Sequence, residues 1–328
     1  MVTRRVSEGL LGVAKQFDCI VCGELCVDVP VRPIPQDKPL GELNLMPVEP
    51  ILPGVGGIVS NSGMALAKLG MRTAAFAYVG EDPWATLVDE LYQSVGVNTE
   101  YLFRHAEFPT SATAVLIGED GEHAFAHYSG ASRQMDAKTM LDHLDLFAQS
   151  EFMLVGYYAL KHKVENDLPT VLAEIRQTGC RTAMDTAWGG GTMDPLQYIL
   201  PNLDIYIPSY DEALSQTGKT DPQDMLREYR RFTSHSLLGV KLGDRGALLS
   251  DAEESWIEIA PVSPPGEVVD TTGAGDSFYA GFIAGLVHGL SIADAGRVGA
   301  AAGACSVTAI GGPTNIRNYD ETLALANG

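Results

Sequence analysis

No run of lysine or arginine interrupts the acidic character of this chain: 22 basic residues stand against 42 acidic ones over 328 residues, a formal charge of −20. Nucleic-acid recognition depends on clustered cationic side chains, so that class of partner is not expected. Also missing are an uninterrupted apolar stretch of about 18 residues, the kind that spans a bilayer, and a leader with charged, apolar and small-residue segments in order. The expected setting is the cytoplasm, away from the membrane. Cysteines number five, which fits free thiols in a reducing compartment better than a disulfide framework. Cys19, Cys22 and Cys26 fall in a strand-like run where Cys19 and Cys22 face opposite sides, so core packing outweighs a metal site. The pattern Gly-x-x-x-x-Gly-Lys-Ser/Thr does not occur, which excludes a Walker-type loop. Gly54-Val-Gly56 opens a dinucleotide fingerprint, but Val59 occupies the third glycine position and a Rossmann dehydrogenase is not expected. Internal repeats and low-complexity tracts are lacking too.

What is present is ample core material. Hydrophobic residues make up 45% and charged residues 20%, which suits one compact α/β domain with an appendage. Phe17 to Val29 is a largely apolar run, the pattern of a strand buried on both faces of a parallel sheet. Helical patterns at Asn61–Leu69, Pro83–Val95 and Leu168–Gln177 alternate with strand patterns at Arg72–Val79, Phe152–Val155, Arg181–Met184, Ile205–Ile207 and Leu237–Leu242. That alternation predicts a layered α/β fold. The rhythm breaks twice, in the proline-rich stretch Val29–Pro53 and in Ser111–His127, which alternates as a hairpin turning at Glu119-Asp120-Gly121. Together these two segments predict a small β appendage.

One segment stands out chemically. Asp270-Thr-Thr-Gly-Ala-Gly-Asp276 runs into Ser-Phe-Tyr-Ala-Gly-Phe, and Phe278, Phe282 and Leu286 recur every four residues, so a helix is expected to begin near Gly275. Its N-terminus would hold Gly273, Ala274, Gly275 and Asp276. Free amides and the positive end of the helix dipole favour an anion there, and small residues let a phosphate approach the backbone. Phosphoryl transfer needs such donors together with a base for the acceptor hydroxyl, and Asp276 is placed for that role. Gly281, Gly285 and Gly289 each cost a helix interior about 1 kcal/mol, which implies close packing as compensation.

The run Asp270-Thr-Thr-Gly-Ala-Gly-Asp276-Ser-Phe278 resembles the carboxy-terminal signature of the ribokinase (PfkB-type) carbohydrate kinases. Gly56-Gly57-Ile-Val-Ser-Asn61-Ser-Gly-Met-Ala65-Leu-Ala67-Lys-Leu69-Gly70 resembles the amino-terminal one, about 200 residues earlier. The resemblance spans essentially the whole chain. It implies a three-layer α/β/α core with a mainly parallel sheet and a small β-sheet lid, the core at 1–28, 54–100 and 129–328 and the lid at 29–53 and 101–128. It further implies an ATP-dependent carbohydrate kinase with Asp276 as general base and the Gly273, Ala274 and Gly275 amides as anion hole.

Carried over residue by residue, the resemblance assigns the substrate to Asp28, Gly56, Gly57, Asn61 and Asp276, with Asp28 holding hydroxyls, the two glycines letting the substrate lie against the backbone and Asn61 hydrogen-bonding it. The nucleotide side would comprise Ser209, Glu212, Lys241, Gly243, Gly246, Thr271, Gly273, Gly275 and Gly303, with Ala302 to Gly311 bordering the adenine. Relatives commonly have Asn-x-x-Glu where this chain has Ser209-Tyr-Asp-Glu212, so Glu212 retains a water-mediated link to Mg²⁺ while Ser209 departs from the pattern and also reads as a helix N-cap. Lys241 stands where threonine is frequent and could pair with phosphate. Similarity to relatives that use a monovalent cation points to Asp270, Thr272, Ser306, Ala309, Gly311 and Asn315 for K⁺. A homodimer through the lid is expected, with the alternation of Thr113, Val115 and Ile117 either covering the site or meeting a second subunit.

The expected acceptor is a sugar or sugar acid. A nucleoside kinase of the same fold is the alternative, with Phe103, Phe125 or Tyr128 sandwiching a base. A catalytically silent sensor of sugar or nucleotide is another, motivated by Ser209. Sugar phosphates are less expected, since Arg104 and Arg133 are the only evident cations near the lid.

Overall fold

A computed structural model describes residues 15–35, 39–42, 45–120, 122–158, 163–187 and 190–328. The chain starts with β1 (Phe17–Gly23) and β2 (Cys26–Ile34), then β3 (Gly54–Gly56), α1 (Ile58–Lys68), β4 (Thr73–Gly80), α2 (Pro83–Val95) and β5 (Leu102–His105). The hairpin β6 (Ala112–Gly118) and β7 (His123–Tyr128) follows, and then short helices α3 (Ala137–Leu141) and α4 (Leu144–Ala148). β8 (Ser150–Tyr158), α5 (Leu168–Gln177), β9 (Arg181–Thr186), α6 (Met193–Ile199) and β10 (Ile205–Tyr206) continue the alternation. α7 (Tyr210–Thr217), α8 (Pro222–Arg230), β11 (Leu237–Lys241), β12 (Ala247–Ser250) and β13 (Ile257–Ile259) precede the final helices α9 (Ala274–Val287), α10 (Ile292–Ser306) and α11 (Tyr319–Asn327).

Nine strands form one sheet in the order β13-β12-β11-β10-β9-β8-β1-β4-β5, and four form a second in the order β3-β2-β6-β7. Every pairing from β11 to β5 is parallel, and only β12 runs against the rest, pairing antiparallel with both β11 and β13. Each parallel step needs a crossover, and helices accordingly cover both faces. One face packs Val21, Phe152 and Leu154 against Leu66 of α1 and Phe282 and Ile283 of α9. The other packs Ile20, Met153 and Met184 against Leu172 and Ile175 of α5 and Tyr229 of α8. Cys19 belongs to the first cluster and Cys22 to the second, and Cys26 too is a buried free thiol. Burial pushes all three thiols well above their ordinary range. No helix of the described residues is long and apolar enough to cross a membrane.

The boundary between the two sheets differs from the sequence expectation. The apolar run Phe17–Val29 is not one strand: it breaks at Glu24-Leu25, where the chain leaves the large sheet and enters the small one. The break is steric. Gly23 has φ +127°, and a Cβ there would lie 1.5 Å from the Gly156 carbonyl oxygen, so two backbones touch at this crossing. β2 then runs on to Ile34, through what reads in sequence as irregular chain. β3, expected in the core, pairs with β2 in the small sheet, while β5, expected in the lid, pairs with β4 in the large one. Phe103 is therefore no lid aromatic. It packs in the core edge against Phe76 (centroids 5.1 Å), Tyr78 (5.4 Å) and His143 (5.0 Å). Arg104 beside it pairs with Asp89 of α2. The β6–β7 hairpin is antiparallel as its alternation suggests, with Thr113 and Ile117 buried; Gly121 at its turn lies outside the described residues, as do residues 1–14 of the expected core.

α9 and α10 make the closest helix pair, and glycine lets them approach. A Cβ on Gly281 would meet the Val298 carbonyl oxygen at 2.7 Å and the Ala302 Cβ at 2.8 Å, and one on Gly285 would meet Ala295 at 2.8 Å. Gly289 is different: it lies past the end of α9 at φ +76°, a left-handed stop and no helix-interior position. Gly281→Ala removes a helix-propensity penalty of about 1 kcal/mol yet inserts a methyl where no space exists, at about 1–3 kcal/mol. The variant should lower the urea unfolding midpoint; a higher midpoint would show that the pair can spread at no cost.

Candidate active site

The N-terminus of α9 meets α1 and the C-terminal end of β8. Gly273 caps α9 at φ 75°, a left-handed turn that swings the chain from Asp270 into the helix, and a Cβ there would approach Gly312 Cα to 2.9 Å. The Ala274 amide donates to the Thr271 carbonyl at 3.2 Å. The amides of Gly273, Gly275 and Asp276 have no acceptor among the described residues, so the helix end presents free donors, although Ala274 is not one of them.

Asp276 sits in the first turn and is buried at 4% exposure. Two donors converge on its Oδ2: Tyr157 Oη at 2.6 Å and Asn61 Nδ2 at 2.8 Å. Ser62 of α1 donates to the Asp276 carbonyl at 3.0 Å and ties the two helices together. Asn61, expected on substrate, is thus engaged with the acid itself. Burial raises the Asp276 carboxyl above its ordinary value, with the Glu212 charge adding to it; Tyr157, Asn61 and Lys241 act the other way.

Lys241, at the end of β11, lies beside the same helix start: a Cβ on Gly275 would be 3.0 Å from its Nζ. Its ammonium bridges both oxygens of Asp185 on β9, each at 3.0 Å, and lies 4.9 Å from the Tyr279 ring centroid. Burial works against this charge, but Asp185, Glu212 and Asp276 outweigh it and raise the Lys241 pKa. Asp185 is pushed up by burial, with Glu212 and Asp276 adding and Lys241 opposing. Ser209 and Glu212 form a capping box on α7: the Glu212 amide donates to Ser209 Oγ (3.4 Å) and the Ser209 amide to Glu212 Oε2 (2.7 Å). The structure therefore uses both side chains as helix caps, with the Glu212 carboxylate within electrostatic reach of Lys241 and Asp276.

A cavity of about 600 Å³ opens on the far side of Gly275. It gathers Lys241, Gly243, Gly246, Thr271, Gly275 and Gly303 with apolar walls from Val262, Phe278, Ala304 and Val307. Ser209, Glu212 and Gly273 do not line it. Asp270 holds its margin together, accepting from the Thr272 amide at 2.8 Å and the Gly311 amide at 3.2 Å. Asn315 donates to the Thr308 carbonyl at 3.1 Å and Ser306 to Gly303 at 2.8 Å, so of the six residues expected at a monovalent cation only Asp270, Thr272 and Gly311 are joined directly. A second cavity, about 630 Å³ beside α8, collects none of these groups and is lined by Arg227, Glu254 and Asp224, which pair with one another.

The small sheet carries the remaining residues expected on substrate. Asp28 on β2 is flanked by Gly54 and Thr113, and a Cβ on Gly56 would fall 2.0 Å from its Oδ2. Cys26 Sγ donates to Asp28 Oδ1 at 3.3 Å, and Thr113 Oγ1 lies 3.0 Å from His127 Nδ1. Burial raises the Asp28 carboxyl, with hydrogen bonds from Cys26 and Thr113 and the nearby His127 opposing. Gly57 at φ 80° lets α1 start against the Glu24 carbonyl. Buried Glu24 accepts from Ser132 at 2.8 Å. Tyr157, Asp185, Glu24 and His127 are all missed by sequence reasoning. Each is a polar residue at a strand end with no motif around it, and an acid inside an apolar strand, as in Ala183-Met-Asp185, is the only signal available.

The family model described as pfkB family carbohydrate kinase matches residues 21–318. Ribokinase of Haemophilus influenzae is 26% identical over 82% of this chain and 86% of its own length. 2-Dehydro-3-deoxygluconokinase of Bacillus subtilis is 28% identical over 79% of this chain and 82% of its own. Among solved structures, ribokinase of Arabidopsis thaliana, complexed with ribose and ATP, superposes with a TM-score of 0.80 at 23% identity, covering 95% of this chain and 99% of that one.

Because the folded protein binds the Asp276 proton more tightly than the unfolded chain, ionising it as pH rises through the raised folded pKa costs stability. Asp276→Asn stays neutral and can accept both donors through its amide oxygen. It should therefore melt above the wild type at pH 8, with the difference vanishing toward pH 4 in thermal scans. A lower melting temperature at pH 8 would contradict a strained, buried carboxylate.

Proposed function

This chain belongs to the pfkB family of carbohydrate kinases, and from that premise we propose that it transfers the γ-phosphoryl group of ATP to a hydroxyl of a sugar or sugar acid, with Asp276 as base. The observation that carries the reading is the buried Asp276 carboxylate beside free amides at the start of α9, where Gly275 lines the cavity. In the reaction the acceptor oxygen attacks the γ-phosphorus as its proton passes to Asp276 Oδ1. The bond from the γ-phosphorus to the β,γ-bridging oxygen breaks, and ADP leaves with that electron pair. The Gly273, Gly275 and Asp276 amides and the Lys241 ammonium stabilise the charge spread over the moving group.

ATP occupies the 600 Å³ cavity in this reading, its base against the apolar wall near Val307 and its phosphates toward Gly275 and Lys241. Asp28 accepts from acceptor hydroxyls in this reading, and glycine at position 56 leaves room for that carboxylate, since a Cβ there would fall 2.0 Å from its Oδ2. Among the described residues no three carboxylate, histidine or cysteine side chains are grouped to hold a metal, so Mg²⁺, which offsets phosphate charge when bound with the nucleotide, fits only through phosphate oxygens and water. Glu212 keeps one carboxylate oxygen for such a water, since Oε2 is taken by the Ser209 amide. K⁺ at the Asp270–Gly311 margin belongs to the same proposal. Phe125 and Tyr128 remain exposed on the lid strand β7, where a nucleobase could stack, so nucleosides belong in the acceptor screen.

Asp276→Asn should lower kcat by at least about 10²-fold in an ADP-release assay while an ATP analogue binds as to the wild type. Turnover near the wild-type rate would remove Asp276 from the chemistry. ATP binding with no ADP release by the wild type, across sugars, sugar acids and nucleosides, would leave a sensor in place of an enzyme.

A further inference from the structure

Tyr157 is the penultimate residue of β8, adjacent to β1 in the large sheet, and its hydroxyl is directed at one atom. The distances from Asp276 Oδ2 to Tyr157 Oη (2.6 Å) and to Asn61 Nδ2 (2.8 Å), and between those two donors (3.4 Å), define a compact triangle. Burial and the neighbouring Asp276 charge hold the phenol well above its ordinary pKa, so it is the donor. Both donors take the same oxygen, and Asp276 Oδ1 has no donor among the described residues.

We propose that Tyr157 is a positioning residue for the phosphoryl-transfer reaction: with Asn61 it pins Oδ2 of Asp276, so that Oδ1 is the oxygen presented to the acceptor hydroxyl and the carboxylate stays ionised despite its burial. The proposal rests on the reading of Asp276 as base. Without the pair of donors the carboxylate could rotate, and the two oxygens would share the work of accepting the proton. Rotation of the helix that carries Asp276 is already prevented by the Gly281 and Gly285 contacts with α10 and by the Ser62 bond to its carbonyl, leaving the side-chain torsion as the freedom to be removed.

The second half of the role is electrostatic. The charged groups facing Asp276 are Lys241 from β11, Asp185 from β9 and Glu212 from α7, one cation against two further acids. That surrounding, together with burial, favours the protonated acid, which cannot take a proton. A hydrogen bond donated to the charged form acts in the opposite sense, and Tyr157 is the first of the groups that do so. Phenylalanine at this position would keep the ring and lose only the donor.

The test is a carboxyl ¹³C NMR titration of the unliganded protein labelled at aspartate Cγ, with the Asp276 resonance identified by its absence from Asp276→Asn. In Tyr157→Phe the Asp276 midpoint should rise by at least about one pH unit, the effect expected for a hydrogen bond to a charged group. Asn61→Ala, which removes the other donor, should move it the same way and keeps the test open if Tyr157→Phe does not fold. In ADP release with ATP and D-ribose, or the best acceptor from the screen, the acid limb of kcat/KM should move upward by the same amount, with KM for ATP unchanged. An unmoved midpoint and acid limb in Tyr157→Phe overturn the proposal. Full turnover by Asp276→Asn would instead overturn the assignment of the base and leave the titration result standing.

Discussion

The arrangement depends on keeping one carboxylate buried next to the free end of a helix. Asp276 at 4% exposure loses most of its hydration, and what replaces it is a small set of fixed dipoles: two hydrogen bonds to Oδ2 and the amides of the first turn of α9. Each of these comes from a different part of the chain, and so the surrounding packing must be exact to fractions of an ångström. The glycines at 281 and 285 set how deep α9 lies against α10, and the Gly23–Gly156 crossing sets where β1 hands the chain to the small sheet. Small residues appear wherever backbone must approach backbone near the site.

Around this carboxylate the charges are unbalanced by design of the fold. Lys241 is surrounded by Asp185, Glu212 and Asp276, and its ammonium is already bound by Asp185 at 3.0 Å. In the proposed reaction, a phosphate arriving at the start of α9 meets a lysine held within reach by a partner from another strand, which reduces the side-chain entropy lost on binding. The chain's overall charge of −20 does not oppose this, since the donors are local and mostly backbone.

Much of this was legible in the sequence where chemistry and local structure coincide. The run from Asp270 to Phe278 displays both its glycines and its helical period; α2 appears where its pattern suggests because the Asp82 and Gly96 caps agree with its apolar spacing, and α5 because a first-turn proline does. The division into sheets was less legible. β3 and β5 are three and four residues long, and which sheet takes them is decided by pairing partners far along the chain. For the same reason Phe103 reads as a lid aromatic and is found in the core, and Ser209 reads either as a nucleotide ligand or as a cap and is found as a cap. Tyr157 has no local signal and Asp185 only that of an acid inside an apolar strand, since their roles exist only once β8, β9, β11 and α9 share one end of the sheet.

The account stands on the acceptor hydroxyl meeting Asp276 Oδ1. A crystal structure with a non-hydrolysable ATP analogue and the acceptor of highest turnover measures that contact directly. The acceptor oxygen should lie about 2.6–3.2 Å from Oδ1, with the γ-phosphate at the Gly275 and Asp276 amides. An acceptor seated with no hydroxyl in hydrogen-bond reach of Asp276, in an otherwise ordered ternary complex, would contradict it.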